Sequence, residues 1–137
     1  MVNEKLREEI AKQGYENSIV YDMPSFDDSI VGVNDNGKVV YSYELMVDEY
    51  VRDDVPNYKD LPSDEYYDRC NEAIEFIDYN TVRGTPYMAS YGTTPVIVAF
   101  NPDSETYYDM VSGNEFDLDT IVFKIEEKYQ EMLAFEP

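Results

Sequence analysis

The sequence predicts an α+β fold, a small, mainly antiparallel sheet with helices packed on one face, and four stretches carry that expectation. In "SIVGVNDNGKVVYSY" two apolar runs, 30–33 and 39–41, flank Asn34, Asp35, Asn36 and Gly37. Those residue types tolerate the positive φ values of a tight hairpin turn. Residues 43–54 and 63–79 each repeat apolar side chains at helical spacing. "TPVIVAF" is apolar without alternation, the pattern of a strand covered on both faces. A chain of 137 residues suits one domain, 1–137, and is long enough to bury about two-thirds of its unfolded surface.

Taken in order, the elements read α-β-β-β-α-α-β-α. Val2, Leu6 and Ile10 recur at helical spacing over about 3–13, and Gly14 stops that helix. "SIVYDMPSF" is a short apolar run ended by Pro24, an edge strand or extended segment. After the hairpin, Ser42 is a natural N-cap for 43–54, where Tyr43, Met46, Val47, Tyr50 and Val51 form one stripe. Ser63 caps the next helix, whose buried face is Tyr66, Cys70, Ala73, Ile74 and Ile77. Gly84 is placed to be its C′ residue and Pro86 to block its continuation. Beyond the strand at 94–100, residues 101–116 read as a loop with a short strand near 106–110. The final helix spans about 118–134, capped by Asp117, with Leu118, Ile121, Val122, Ile125, Tyr129, Met132 and Leu133 facing inward.

Much chemistry is excluded by composition. There is no histidine, so the usual proton shuttle and the commonest metal ligand are missing. Cys70 is the only thiol; it forms neither an intramolecular disulfide nor a structural zinc site, and it reads as a small core residue. No P-loop or GxGxxG occurs. The turn "VNDNGK" fails as a calcium loop, because with Gly37 at the sharp turn the end positions are Gly32 and Tyr43 rather than acids. Asn101, Asp103, Glu105 and Asp109 offer oxygen ligands for weak calcium binding but lack the turn glycine. No catalytic residue, metal site or cofactor is assigned. The start of the chain is charged and helical without a signal-peptide apolar region, and no apolar run approaches about 18 residues, so the expectation is a cytoplasmic protein.

What remains is charge. Thirty acids against ten bases give a net charge of −20. Residues 1–14 balance, with Glu4, Glu8 and Glu9 against Lys5, Arg7 and Lys12, whereas 84–123 hold no base and six acids, Asp103, Glu105, Asp109, Glu115, Asp117 and Asp119. Asp64, Asp68, Glu72, Glu75 and either Asp78 or its neighbours fall on one ridge of a helix, opposite its apolar stripe, and Asp78 is counted with the partner-binding acids. Ridge neighbours lie about 5–6 Å apart and repel by a few tenths of a kcal/mol per pair. Glu44, Asp48 and Asp53 do something similar on 43–54. Such a surface repels phosphate and anionic membranes and attracts basic proteins. Duplex DNA carries one charge per ~1.7 Å of axis, so twenty charges match roughly 34 Å of duplex, about the diameter of such a domain. The competing reading is an ordinary solvated acidic surface.

The helix at 63–79 ends unusually. "EFIDYNTVRG" places Asn80, Thr81 and Arg83 before the glycine. Asn80 and Thr81 are poor helix formers, so side-chain hydrogen bonds are expected to hold a structural polar cluster there. Arg83, one of few bases, is expected to pair with a carboxylate.

The same stretch carries a resemblance. "SFDDSIVGVNDNGKVVYSYELMVDEYV", "EAIEFIDYNTVRGTPYM" and "TPVIVAF", spanning about 25–100, resemble a family of small acidic proteins of anaerobic gut bacteria and their prophage-like elements. That family has no assigned activity, so the resemblance transfers no site residues and implies only a setting of phage–host or mobile-element conflict. The functional expectation is an acidic, non-enzymatic interaction protein, a nucleic-acid mimic or inhibitor of the anti-CRISPR or anti-restriction type. Its partner is a basic, nucleic-acid-binding protein surface, with no direct nucleic-acid or membrane contact. The alternatives are a globular binding module of a mobile element with ordinary acidity and, behind it, a carboxylate-based divalent-cation site.

Overall fold

The computed structural model describes residues 18–21, 24–54, 57 and 60–134, together with Glu8, Ile10 and Lys12. Those last three are helical, and the rest of the helix expected at 3–13 lies outside the described residues. The regular strands are β1 (Ile30–Asn34), β2 (Val39–Ser42), β3 (Val96–Asn101), β4 (Thr106–Asp109), β5 (Glu115–Phe116) and β6 (Ile121–Lys124). The α-helices are α1 (Tyr43–Asp54), α2 (Ser63–Phe76) and α3 (Glu126–Ala134).

The class is α+β, but the sheet is larger and more mixed than the sequence suggests. Its six strands run in the order β5-β4-β3-β2-β1-β6. β2 and β3 are parallel, with Tyr41 opposite Ile97, and the other pairs are antiparallel. Parallel neighbours need a long crossover. Here the whole helical region between Ser42 and Val96 supplies it, which puts α1 and α2 in one connection.

Side chains alternate across the central strands, and both faces are covered. Ile30, Val33, Val39, Tyr41 and Ile97 join Ile10, Tyr21, Phe26, Met46 and Ile77 in one buried cluster. Val31, Val40, Val96 and Val98 join Leu45, Tyr107, Ile121 and Met132 in a second. The expectation of helices on one face is therefore corrected. A central sheet whose strands are apolar at every position, as β1 to β3 nearly are, needs cover on both sides.

The hairpin forms as expected. Gly37 has φ 76°, and the Asn34 side chain accepts from the Asn36 and Lys38 amides at 3.0 and 2.9 Å. Ser42 caps α1 by accepting from the Leu45 amide at 3.3 Å. Gly32 answers a different need. A Cβ there would lie 2.2 Å from the Phe123 carbonyl oxygen and 2.7 Å from Ile121 Cγ2, so only glycine lets β6 approach β1.

Three local expectations are overturned and one is narrowed. The run read as an edge strand or extended segment forms no regular strand among its described residues, only a bridge from Ser18 to Thr93, and Pro24 opens a 3-10 turn, Pro24–Ser29. Proline suits a first helical position, where its missing N–H is not needed. Ser63 does not cap α2; the cap position is Pro62, with no side-chain hydrogen bond. Gly84 is right-handed, φ −78°, and Pro86 starts a 3-10 helix, Thr85–Tyr91, so the chain stays helical past both residues. The helix expected at 118–134 splits into a 3-10 turn, Leu118–Thr120, then β6, then α3, and Val122 points out at 62% exposure. Asp117 caps that short turn through the Asp119 amide at 2.9 Å.

Candidate functional site

The acidic ridge forms on α2 because the helix has one face to bury. Ala73 and the following Ile77 are fully buried, while Tyr66 and Cys70 are half-buried against Val51, Leu61 and Ala73. The opposite side then faces water, and Asp64, Asp68, Glu72 and Glu75 are all exposed. Arg69 reaches Glu72 at 3.5 Å with both side chains largely in solvent. That pair is worth about 0–1 kcal/mol, and the other three acids make no ion pair among the described residues.

Asp78 does not belong to the ridge. After Phe76 the chain passes into a π-helical turn, Ile77–Val82, closed by the Arg83 amide donating to the Asp78 carbonyl at 3.3 Å. A π turn bonds i to i+5 and rotates less per residue than an α turn. Asp78 therefore swings off the acidic row and is half-buried, and the Tyr43 hydroxyl donates to it at 3.2 Å. Burial first, and then the Asp78 carboxylate, hold the Tyr43 phenol well above its ordinary range. Tyr79 and Arg83 are both exposed, with the Arg83 guanidinium 5.1 Å from the Tyr79 ring centroid. Arg83 makes no carboxylate pair among the described residues, and its expected partner is replaced by an aromatic face.

Of the expected polar cluster Asn80, Thr81 and Arg83, only Thr81 joins a buried network, through its carbonyl, with Thr85, Tyr21 and Tyr41, which the sequence reading did not name. Thr81 is buried, and its carbonyl accepts from the Thr85 hydroxyl at 2.7 Å. Because that proton is committed, Tyr21 is the donor in its 2.6 Å contact with Thr85 Oγ1. The Tyr21 amide donates in turn to the Tyr41 hydroxyl at 2.9 Å. Burial pushes the Tyr21 phenol up to about 12, so it stays protonated and able to donate. Asn80 is exposed, and its side-chain amide donates to the Phe76 carbonyl one turn back at 3.2 Å. Gly84 fits here because a Cβ would meet the Asn80 carbonyl oxygen at 2.8 Å. Arg83 takes no part in the cluster.

The second acidic row, on α1, is not presented as one. Glu44 is half-buried and accepts from the Phe100 amide at 2.9 Å. Burial raises its pKa, and burial likewise raises that of Glu49 despite Arg52 beside it. Asp48 and Glu49 are gathered by Arg52 at 2.8 and 3.0 Å. The loop acids divide similarly. Asp109 accepts from the Val111 amide and the Ser112 hydroxyl, both at 2.9 Å, whereas Asp103, Glu105, Glu115 and Asp119 are exposed. Asn101 Oδ1 accepts from the Asp103 amide at 3.0 Å, and Asp109 sits at the far end of β4. Among the described residues no three acid or thiol side chains converge as a metal site. No described helix is long and apolar enough to cross a membrane. Comparison with protein-family models, with curated proteins and with solved structures gives no match.

Proposed function

We propose that this chain is an acidic, non-enzymatic interaction protein of the cytoplasm whose α2 face occupies a basic, nucleic-acid-binding surface on a partner protein. The observation that carries the reading is the row of four exposed carboxylates, Asp64, Asp68, Glu72 and Glu75, on a helix anchored by its other face. A row fixed to a packed helix presents its charges without the ordering cost of a flexible tail. The net charge of −20 adds long-range attraction to a basic partner and repulsion of nucleic acid itself. The resemblance of 25–100 to small acidic proteins of prophage-like elements makes phage–host conflict the setting.

Ordinary surface acidity is the competing reading, favoured by the acids that serve local ends: Glu44 at Phe100, Asp48 at Arg52, Asp109 and Asp117 at nearby amides. Capture separates the two. The immobilised protein is exposed to a lysate of its native host at low salt and washed with competing DNA. The proposal expects a basic nucleic-acid-binding protein to be retained and to be released by the DNA. Retention of none, or retention that DNA leaves untouched, favours ordinary acidity.

A further inference from the structure

The β5 end of the sheet carries a group of polar side chains on one face. Asn101 lies opposite Thr106, and Tyr108 opposite Glu115, so alternation puts these four side chains on the same side of β3, β4 and β5. On the other side Phe100, Tyr107 and Phe116 join the second core cluster. Over the polar face opens a hollow of about 530 Å³, inside the range of about 300–1,000 Å³ usual for ligand pockets. Its lining includes Asn101, Ser104, Thr106, Tyr108, Gly113 and Glu115. Both lips are fixed by the chain's own hydrogen bonds. In the loop 101–106 the Asp103 amide donates to Asn101 Oδ1 at 3.0 Å and the Ser104 and Thr106 hydroxyls are bonded at 2.7 Å. Glu105 takes a left-handed φ of 56° there, which few non-glycine residues adopt. In the facing turn Asp109 holds the Val111 amide and the Ser112 hydroxyl, and Gly113 has φ 80°.

The lining mixes donors and acceptors. Asn101 Oδ1 is committed to the Asp103 amide, which leaves the Nδ2 hydrogens to donate. One proton serves the Ser104–Thr106 bond, so the other hydroxyl keeps a proton to give. Glu115 is exposed and accepts at two oxygens, while Tyr108 brings a half-buried ring and a hydroxyl; neither side chain is hydrogen-bonded to a described residue. Simple ions fit this set badly. An ammonium only donates and leaves Asn101 Nδ2 unanswered. A metal ion needs more than one carboxylate, and no metal-binding group forms among the described residues. A phosphate meets Glu115 and a net charge of −20. A sugar hydroxyl, in contrast, both donates and accepts, and the C–H face of a pyranose suits the electron-rich face of an aromatic ring. We infer that this hollow is a binding site for a neutral saccharide, with the Tyr108 ring against its C–H face and Asn101 Nδ2 and the Glu115 carboxylate bonded to its hydroxyls. The site is separate from the acidic row on α2 and stands without it.

The probes are cellotriose, maltotriose, xylotriose, chitotriose and N-acetyllactosamine, with agmatine as a cation and adenosine as a nucleoside, each titrated into the full chain and followed by amide chemical shifts. At least one sugar is expected to bind saturably with a Kd below about 10 mM, moving the amides of Asn101, Thr106, Tyr108 and Glu115. Its affinity should change less than about twofold between low and high salt, because a neutral ligand has no charge to screen. Glu115→Ala, at an exposed position, should weaken binding about tenfold, the share of a hydrogen bond to a charged group. Tyr108→Ala should weaken it about fivefold, whereas Tyr108→Phe, which keeps the ring, should stay within about threefold of wild type. If Tyr108→Ala fails to fold, Glu115→Ala decides. Absence of a saturable shift with all of the sugars overturns the proposal. So does sugar binding that Glu115→Ala leaves unchanged, and so does agmatine or adenosine binding at these residues more tightly than every sugar.

Discussion

Replacing Thr85 by valine tests how the π turn, Ile77–Val82, is held. The substitution keeps the shape and deletes one hydroxyl that serves two buried bonds, 2.7 Å to the Thr81 carbonyl and 2.6 Å from Tyr21. Thr85 is 2% exposed and Thr81 8%, so water does not readily replace the hydroxyl. A buried polar group left without its partner costs about 1–3 kcal/mol, and a neutral bond is worth about 1 kcal/mol net. The expected loss is about 2–3 kcal/mol in urea unfolding, with the slope unchanged. Thr85→Ser should recover most of it. Tyr21→Phe should destabilise less, because the bond from Thr85 to Thr81 survives, and the double variant should show a coupling of about 1 kcal/mol. Hydrogen exchange at the Arg83 amide, which closes the π turn, should quicken in Thr85→Val. A Thr85→Val midpoint within about 0.5 kcal/mol of wild type, or additive effects with Tyr21→Phe, would refute the claim that this chain of hydroxyls holds the turn.

Three further outcomes follow from the geometry. Gly32→Ala should destabilise by about 1–3 kcal/mol or more, since the new methyl meets the Phe123 carbonyl at 2.2 Å, a backbone atom that moves only if β6 moves; thermal melting checks it. Arg83→Ala should cost less than about 1 kcal/mol, its described side-chain contact being the exposed Tyr79 ring, and no more than Arg52→Ala, which leaves the largely buried acids Asp48 and Glu49 without the guanidinium that pairs them; matched denaturation curves decide. Glu44 has a folded pKa raised above its ordinary 4.5 by burial, so the native state holds its proton more tightly than the unfolded chain. Its contribution is greatest below the unfolded pKa and is lost as pH rises from 4.5 through the folded value. The stability of wild type relative to Glu44→Gln should therefore fall with rising pH across that window, and a difference independent of pH would contradict the assignment.

The parts of the fold legible in the sequence are those settled by neighbours in the chain. The Asn34–Gly37 turn, the Ser42 cap and the bounds of α1 depend on residues within four positions of one another. β6 was hidden because Leu118, Ile121, Val122 and Ile125 satisfy helical spacing, and what makes 121–124 a strand is β1, some ninety residues away in the chain. Two β-branched residues followed by Phe123 were the available sign, since such residues favour a pleated surface. The ridge at Asp64, Asp68, Glu72 and Glu75 was legible from period, and Asp78 was misplaced because period alone cannot register a π turn. The cluster at Thr81 was legible only in part. Its key donor, Tyr21, lies 64 positions from Thr85, and nothing local marks the pairing.

The central claim is that location of charge on α2, and not total charge, carries partner binding. The most direct measurement compares two variants that change net charge equally, the ridge set Asp64→Lys, Asp68→Lys, Glu72→Lys, Glu75→Lys and a loop set Asp103→Lys, Glu105→Lys, Glu115→Lys, Asp119→Lys, all at exposed positions. Each is titrated against the basic partner retained from the host lysate, across a series of salt concentrations. The account predicts that the ridge set loses binding by about a hundredfold or more and flattens the salt dependence, while the loop set stays within about tenfold of wild type with its salt slope nearly kept. Equal losses in the two variants would contradict it, and would leave the acidity of this chain a property of the whole surface.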